Sequence, residues 1–293
     1  MYAVQSQAAV GDLYVTNSGN DTVVRITPSG TVLPVPMVGL SQPHGIAFDR
    51  SGNLFVSNIG DNTILKLSID GVTSVFASTG LDGPRGLAFD SSGNLYVANA
   101  NSNSIERFAP DGTGSLFAST NLDFPRGIAF NAAGDLFVVN SGSQNVVRFT
   151  PAGVGSIFIP GGISYPLSLA FDTAGNLFVS RQLDEIDRFT PSGLGGFPLP
   201  TNNSHMPYGL AFDSAGVLYA GYRVSGTVER FTSPRSSSVF DSTGLSVPTF
   251  IAFEGVPLPV PEPSTGALIA IAMVGWSGNR RVIRRRQSRQ SFV

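Results

Sequence analysis

The stretch Pro84-Arg-Gly-Leu-Ala-Phe-Asp-Ser-Ser-Gly-Asn-Leu-Tyr-Val97 decides the fold, because it returns along the chain at a fixed step. Its first half recurs as Pro43-His-Gly-Ile-Ala-Phe-Asp49, Pro125-Arg-Gly-Ile-Ala-Phe-Asn131, Pro166-Leu-Ser-Leu-Ala-Phe-Asp172, Pro207-Tyr-Gly-Leu-Ala-Phe-Asp213 and Pro248-Thr-Phe-Ile-Ala-Phe-Glu254. Its second half begins at Gly93 and recurs from Gly11, Gly52, Gly134, Gly175 and Gly216, so that the six starts are 41 residues apart. A period of this length marks a repeat architecture.

Each repeat carries four strand signals, named A to D. In the second repeat they are Gly45 to Phe48, Leu54 to Ser57, Thr63 to Leu67 and Val72 to Ala77. Between A and B the chain reads Asp49-Arg-Ser-Gly52, and Asp at the first and Gly at the fourth place favour a type I turn. Between C and D stand Thr27-Pro-Ser-Gly30 and its later copies, where Pro presets a turn dihedral. Two hairpins per repeat make a four-stranded antiparallel blade of a β-propeller. The small residue at the centre of strand A (Ala47, Ala88, Ala129, Ala170, Ala211, Ala252) suits an innermost strand, and strand D, rich in Ser and Thr, suits the outer edge.

The two ends set the blade count. The first repeat begins at strand B, whereas Pro248 to Glu254 is a strand A with nothing after it. Together they complete one blade and close the ring, so the expectation is an all-β, six-bladed propeller over residues 9–255.

Composition agrees. Hydrophobic residues make up 42% of 293 and charged residues 13%, with 34 Gly and 20 Pro, which suits many short strands and excludes coiled coil and charged disorder. The absence of Cys excludes disulfides, thiolate zinc sites and cysteine nucleophiles. Six of the 18 basic residues lie between Arg280 and Arg289, leaving residues 1–261 with 12 basic and 19 acidic groups. That acidic body argues against a nucleic-acid partner, which needs clustered cations.

The phrase Pro-x-Gly-Ile-Ala-Phe-Asp-x-x-Gly-Asn-Leu-Phe-Val resembles the NHL-repeat propellers and the related gluconolactonase-like and virginiamycin-lyase-like propellers. The resemblance covers nearly all of the body. It is specific for fold and weak for function, since such propellers include hydrolases, lyases and binding scaffolds.

Beyond the body, residues 256–265 form a Pro-rich linker, 266–279 an apolar segment and 280–293 an Arg-rich tail. The apolar run is shorter than the ~20 residues of a spanning helix and is expected as a short helix, with the basic cluster held on the cytoplasmic side. The order of Pro261-Glu262-Pro263, apolar segment and Arg cluster resembles the PEP-CTERM sorting signal of exported bacterial proteins. The resemblance implies an exosortase-type peptidase as partner and transient membrane insertion through the C-terminal segment. The implied destination is the cell surface or extracellular matrix of a Gram-negative-type bacterium. Residues 1–8 are expected as a signal-peptide remnant or a disordered N-terminus, since Ser6-Gln7-Ala8 looks like the end of a secretory signal.

Strand alternation places the B–C and D–A connections at one end of every blade. The second residue of each Pro-x-Gly phrase points toward the channel mouth at that end, and its occupants are His44, Arg85, Arg126, Leu167, Tyr208 and Thr249. None is a carboxylate or an amide, although gluconolactonase-like relatives imply a channel calcium held by such groups. Asn17, Asn58, Asn99 and Asn140 end strand B and are read as caps of their B–C loops, with Arg181 and Tyr222 in their place in the last two blades. His44, Arg85, Arg126, Arg181, Tyr208, Tyr222 and Thr249 are therefore the candidate ligand-binding residues, with Arg85 and Arg126 suited to a carboxylated or phosphorylated ligand. The basic residue repeated in strand C (Arg25, Lys66, Arg107, Arg148, Arg188, Arg230) reads as structural because it is regular.

No nucleophile elbow, phosphate loop or dinucleotide fingerprint occurs, and no catalytic residue or metal ligand is assigned. The expected function is that of an exported, monomeric propeller binding a glycan, matrix polymer or protein through the B–C and D–A loop face. No cofactor is expected. The alternative is a metal-dependent hydrolase or lyase at the channel mouth, which would require calcium or another divalent ion.

Overall fold

The computed structural model describes residues 11–183, 185–199, 206–233, 236–241 and 244–255. Segments 1–8, 256–265, 266–279 and 280–293, with Pro261, Glu262 and Pro263, lie outside the described residues. The chain divides after Val260 into two units, the first of which contains the propeller.

Six four-stranded antiparallel sheets are formed. In the second blade the strands are Pro43–Phe48, Leu54–Asn58, Thr63–Leu67 and Thr73–Ala77, close to the expected limits. The first blade has the order Pro248–Phe253, Leu13–Asn17, Thr22–Ile26, Val32–Pro34, with Leu13 opposite Phe253 and Val15 opposite Ile251. The last strand A therefore closes the ring.

Both hairpins follow from their turn residues. Gly52 N–H donates to Asp49 C=O (3.1 Å) and Gly30 N–H to Thr27 C=O (2.8 Å), with φ of 81° and 83°, a conformation that glycine adopts without steric cost. Asp49 adds an Asx turn, its Oδ1 accepting from the N–H groups of Ser51 and Asn53, both at 2.9 Å.

Strand B is buried at every position in five blades, and the core lies between blades. Phe55 of the second blade packs edge-on against Phe76 of the same blade and Phe89 of the next, both with centroids 5.0 Å apart. Tyr96 repeats this with Phe117 and Phe130, and Phe137 with Phe158 and Phe171. Edge-to-face pairs of this kind add ~0.5–1.5 kcal/mol each beyond their burial.

The tightest approach around the axis is at the glycine of Pro-x-Gly, not at the alanine singled out from the sequence. A Cβ on Gly45 would lie 1.9 Å from the Arg85 carbonyl oxygen, and one on Gly86 2.3 Å from that of Arg126. The alanines instead fill the cores between blades, Ala88 beside Tyr96 and Ile128, Ala129 beside Phe137 and Leu169.

Candidate functional site

Three features hold the residues at the channel mouth. The residue before each strand-A proline has positive φ in every blade: Gln42, Gly83, Phe124, Tyr165, Met206 and Val247, at 46° to 61°. Side chains from the preceding blade's B–C loop secure three of these, Asp21 accepting from Gln42 N–H (2.7 Å), Asn62 from Gly83 N–H (2.8 Å) and Asn103 from Phe124 N–H (2.6 Å). The strand-B hydroxyls of Thr16, Ser57 and Ser180 donate across the blade boundary to the carbonyls of His44, Arg85 and Tyr208, each at 2.7 Å. Three of the mouth residues are thus fixed at their own backbone by buried hydrogen bonds.

The side chains form one network. Arg126 donates from Nη1 to the Tyr208 hydroxyl (2.7 Å), that hydroxyl lies 2.8 Å from His44 Nε2, and Arg85 donates from Nη1 to the same Nε2 (3.0 Å). A guanidinium only donates, so Nε2 is the acceptor and the ring proton belongs on Nδ1. Burial pushes the His44 pKa well below its ordinary value, and Arg85, Arg126 and Arg223 push it further the same way. His44 is therefore neutral. Burial also lowers the Arg85 pKa, as do the charges of Arg126 and Arg223, while Tyr208 opposes this.

Two aromatic shelves carry the cations. Arg85 and Arg126 each lie 5.1 Å from the centre of the Phe124 ring, and Arg223 lies 5.8 Å from that of Tyr208. The cavity enclosed has a volume of about 470 Å³, and its lining includes Gln42, His44, Arg85, Arg126, Tyr208, Arg223 and Thr249 but no carboxylate. Among the described residues, none of the three arginines is in a salt bridge.

The other candidates are placed differently. Arg181 pairs with Asp187, Nε to Oδ2 at 2.9 Å, and with Glu185. Tyr222 is completely buried in the core shared by the fifth and sixth blades. Thr249 touches the cavity, but its hydroxyl is 2.9 Å from that of Thr16 and 3.2 Å from the Pro43 carbonyl, which ties the closing strand to its neighbours. Leu167 is core. The asparagines ending strand B are structural, and they cap the D–A connection as well as touching the B–C loop: Asn58 accepts from Ser41 N–H (3.2 Å) and donates to Gly39 C=O (2.9 Å) and Thr63 Oγ1 (3.2 Å).

Sequence reasoning missed Phe124 and Arg223. Both positions vary from blade to blade, Phe124 standing where the others have Gln42, Gly83, Tyr165, Met206 and Val247, and Arg223 where they have Ser18, Ile59, Ala100, Ser141 and Gln182. The one signal is that Arg223 is the single charged residue in its set.

The family model of virginiamycin B lyases matches residues 2–231. The chain belongs to the virginiamycin B lyase family. A second model, the PEP-CTERM protein-sorting motif, matches residues 259–281, which marks the chain for export, recognition by an exosortase and membrane-associated processing. Solved structures share the fold at low identity. A streptogramin B lyase structure aligns at 17% identity over 87% of this chain and 92% of its own, with TM-score 0.65. A catalytically inactive virginiamycin B lyase from Staphylococcus aureus with quinupristin gives 19%, 86%, 94% and 0.64. A gluconolactonase from Xanthomonas campestris gives 19%, 74%, 84% and 0.63. No curated protein sequence matches the chain.

The propeller relatives imply a channel metal, and the residues at this mouth do not fit one. A hard divalent cation needs several oxygen ligands, chiefly carboxylates, whereas this lining presents three guanidiniums and a histidine whose acceptor nitrogen already takes hydrogen bonds. Among the described residues no three His, Asp or Glu side chains converge elsewhere either.

Proposed function

We propose that this member of the family is a binding module: an exported propeller that takes an anionic ligand at the channel mouth on its B–C and D–A loop face. The observation that carries this reading is the cavity of about 470 Å³ with Arg85, Arg126 and Arg223 around it and no carboxylate in its lining. Partly buried guanidiniums normally acquire acidic partners, and here aromatic rings support them without cancelling their charge. The volume lies within the ~300–1,000 Å³ of small-molecule sites, enough for one acidic residue of a glycan or matrix polymer at the cell surface.

Isothermal titration of the folded protein with inorganic phosphate and with an oligogalacturonate tests this. Replacing Arg85 and Arg126 together by Ala should weaken binding at least tenfold with little change in melting temperature. No binding by the unaltered protein, or a stoichiometric divalent metal whose chelation destabilises it, would overturn the reading in favour of metal-dependent chemistry at the mouth.

A further inference from the structure

We infer that the group held at the channel mouth is a dianion, a phosphate monoester carried by the ligand, rather than a lone carboxylate or sulfate. This rests on reading the cavity as an anion site, and it goes further by counting charges. Three guanidiniums face one cavity, no carboxylate lines it, and the buried, neutral His44 adds no charge to offset them. A single carboxylate would leave two cations uncompensated in a partly desolvated site, whereas a doubly charged tetrahedral group engages three separate donors and answers most of the charge.

The hydrogen-bond directions agree. Arg85 and Arg126 each commit Nη1 inward, to His44 and to Tyr208. Each guanidinium is thus fixed in orientation by one bond and by the shared Phe124 ring, with donor capacity left over. Arg223, exposed at the rim and stacked on Tyr208, adds the third charge from the solvent side. The cavity is larger than a phosphate alone requires, which leaves room for the esterified body.

The neutral state of His44 makes the test clean, because pH dependence near neutrality then reports the ligand's second ionisation and not the site's. Titration calorimetry with the full chain would compare methyl phosphate, methyl sulfate and acetate between pH 5 and 8. Methyl sulfate has the tetrahedral shape with one charge. Methyl phosphate should bind at least tenfold tighter than either at pH 8, and its affinity should fall about tenfold per unit below its second pKa of about 6. Arg223→Gln should cut the phosphate-to-sulfate preference at least threefold. Equal affinities that do not vary with pH would overturn the dianion while leaving an anion site, and an unchanged preference in Arg223→Gln would remove the third charge on which the count depends. Failure of all three probes to bind would remove the anion site itself.

Discussion

Arg85 donates a hydrogen bond of 3.0 Å to Nε2 of His44, a cation bonding a histidine that could itself have been cationic. The geometry forces the neutral imidazole, and burial reinforces it. The folded protein therefore resists protonation at His44, whereas the unfolded chain takes up that proton below about pH 6.5.

The sign of the pH effect follows. A depressed histidine pKa contributes nothing above the unfolded value and costs stability as pH falls below it, by about 1.4 kcal/mol per unit from this group. Denaturant melts between pH 7.5 and 5 should show that loss, and His44→Gln should remove most of the slope. A variant slope equal to the wild type would place the proton uptake at other groups.

Phe124 has a separate prediction because its ring lies under both Arg85 and Arg126. Two partly buried cation–π contacts of ~0.5–1 kcal/mol each are already made in the unliganded protein, so they stabilise the fold and hold both guanidiniums in place for a ligand. Phe124→Leu should lower the melting temperature by a few degrees and weaken phosphate binding severalfold by freeing the guanidiniums, and Phe124→Trp should restore both. Full affinity in the leucine variant would show that the arginines hold their positions unaided.

Close backbone approach makes Gly45 a stability determinant. An added methyl group would lie 1.9 Å from the Arg85 carbonyl oxygen, a backbone atom of the next blade that moves only if the strand moves. Gly45→Ala should cost about 3 kcal/mol or more and weaken anion binding by displacing Arg85. Gly134→Ala is the control: unlike Gly45 it has a positive φ, 83°, but no atom lies within 4 Å of the added methyl group, so only ~1 kcal/mol of backbone strain is expected. Similar losses in the two variants would rule out the steric argument.

The repeat made the fold legible because each blade states its turns, its alternation and its closure in the same frame, so six weak signals added. It also placed His44, Arg85, Arg126 and Tyr208 together, since strand register fixes which residues reach the mouth. What it hid were contacts that run between blades and across sequence separations of 28 residues, such as Ser57 to the Arg85 carbonyl and Thr16 to that of His44. Arg181 misled for a related reason. It replaces an asparagine, but its partners Glu185 and Asp187 lie in its own blade and hold it there.

The ring-closing strand pair departs from the five A–B hairpins in one respect that stability measurements can read. Elsewhere each A–B hairpin holds one carboxylate in its first and fifth positions, as in Asp49 with Asn53 or Asn131 with Asp135. At the closure Glu254 faces Asp12, and burial raises the pKa of both despite Arg25, 3.4 Å from Asp12. A raised carboxylate pKa means that the charged form is disfavoured by folding, so closure is weakest above the folded pKa values and strengthens as pH falls through them. Asp12→Asn restores the pattern of the other blades. It should raise the melting temperature at pH 7 to 8 and leave it unchanged near pH 4, where both carboxyls approach protonation in either state. A lower melting temperature at neutral pH would mean that the Arg25 pair outweighs the desolvation of Asp12.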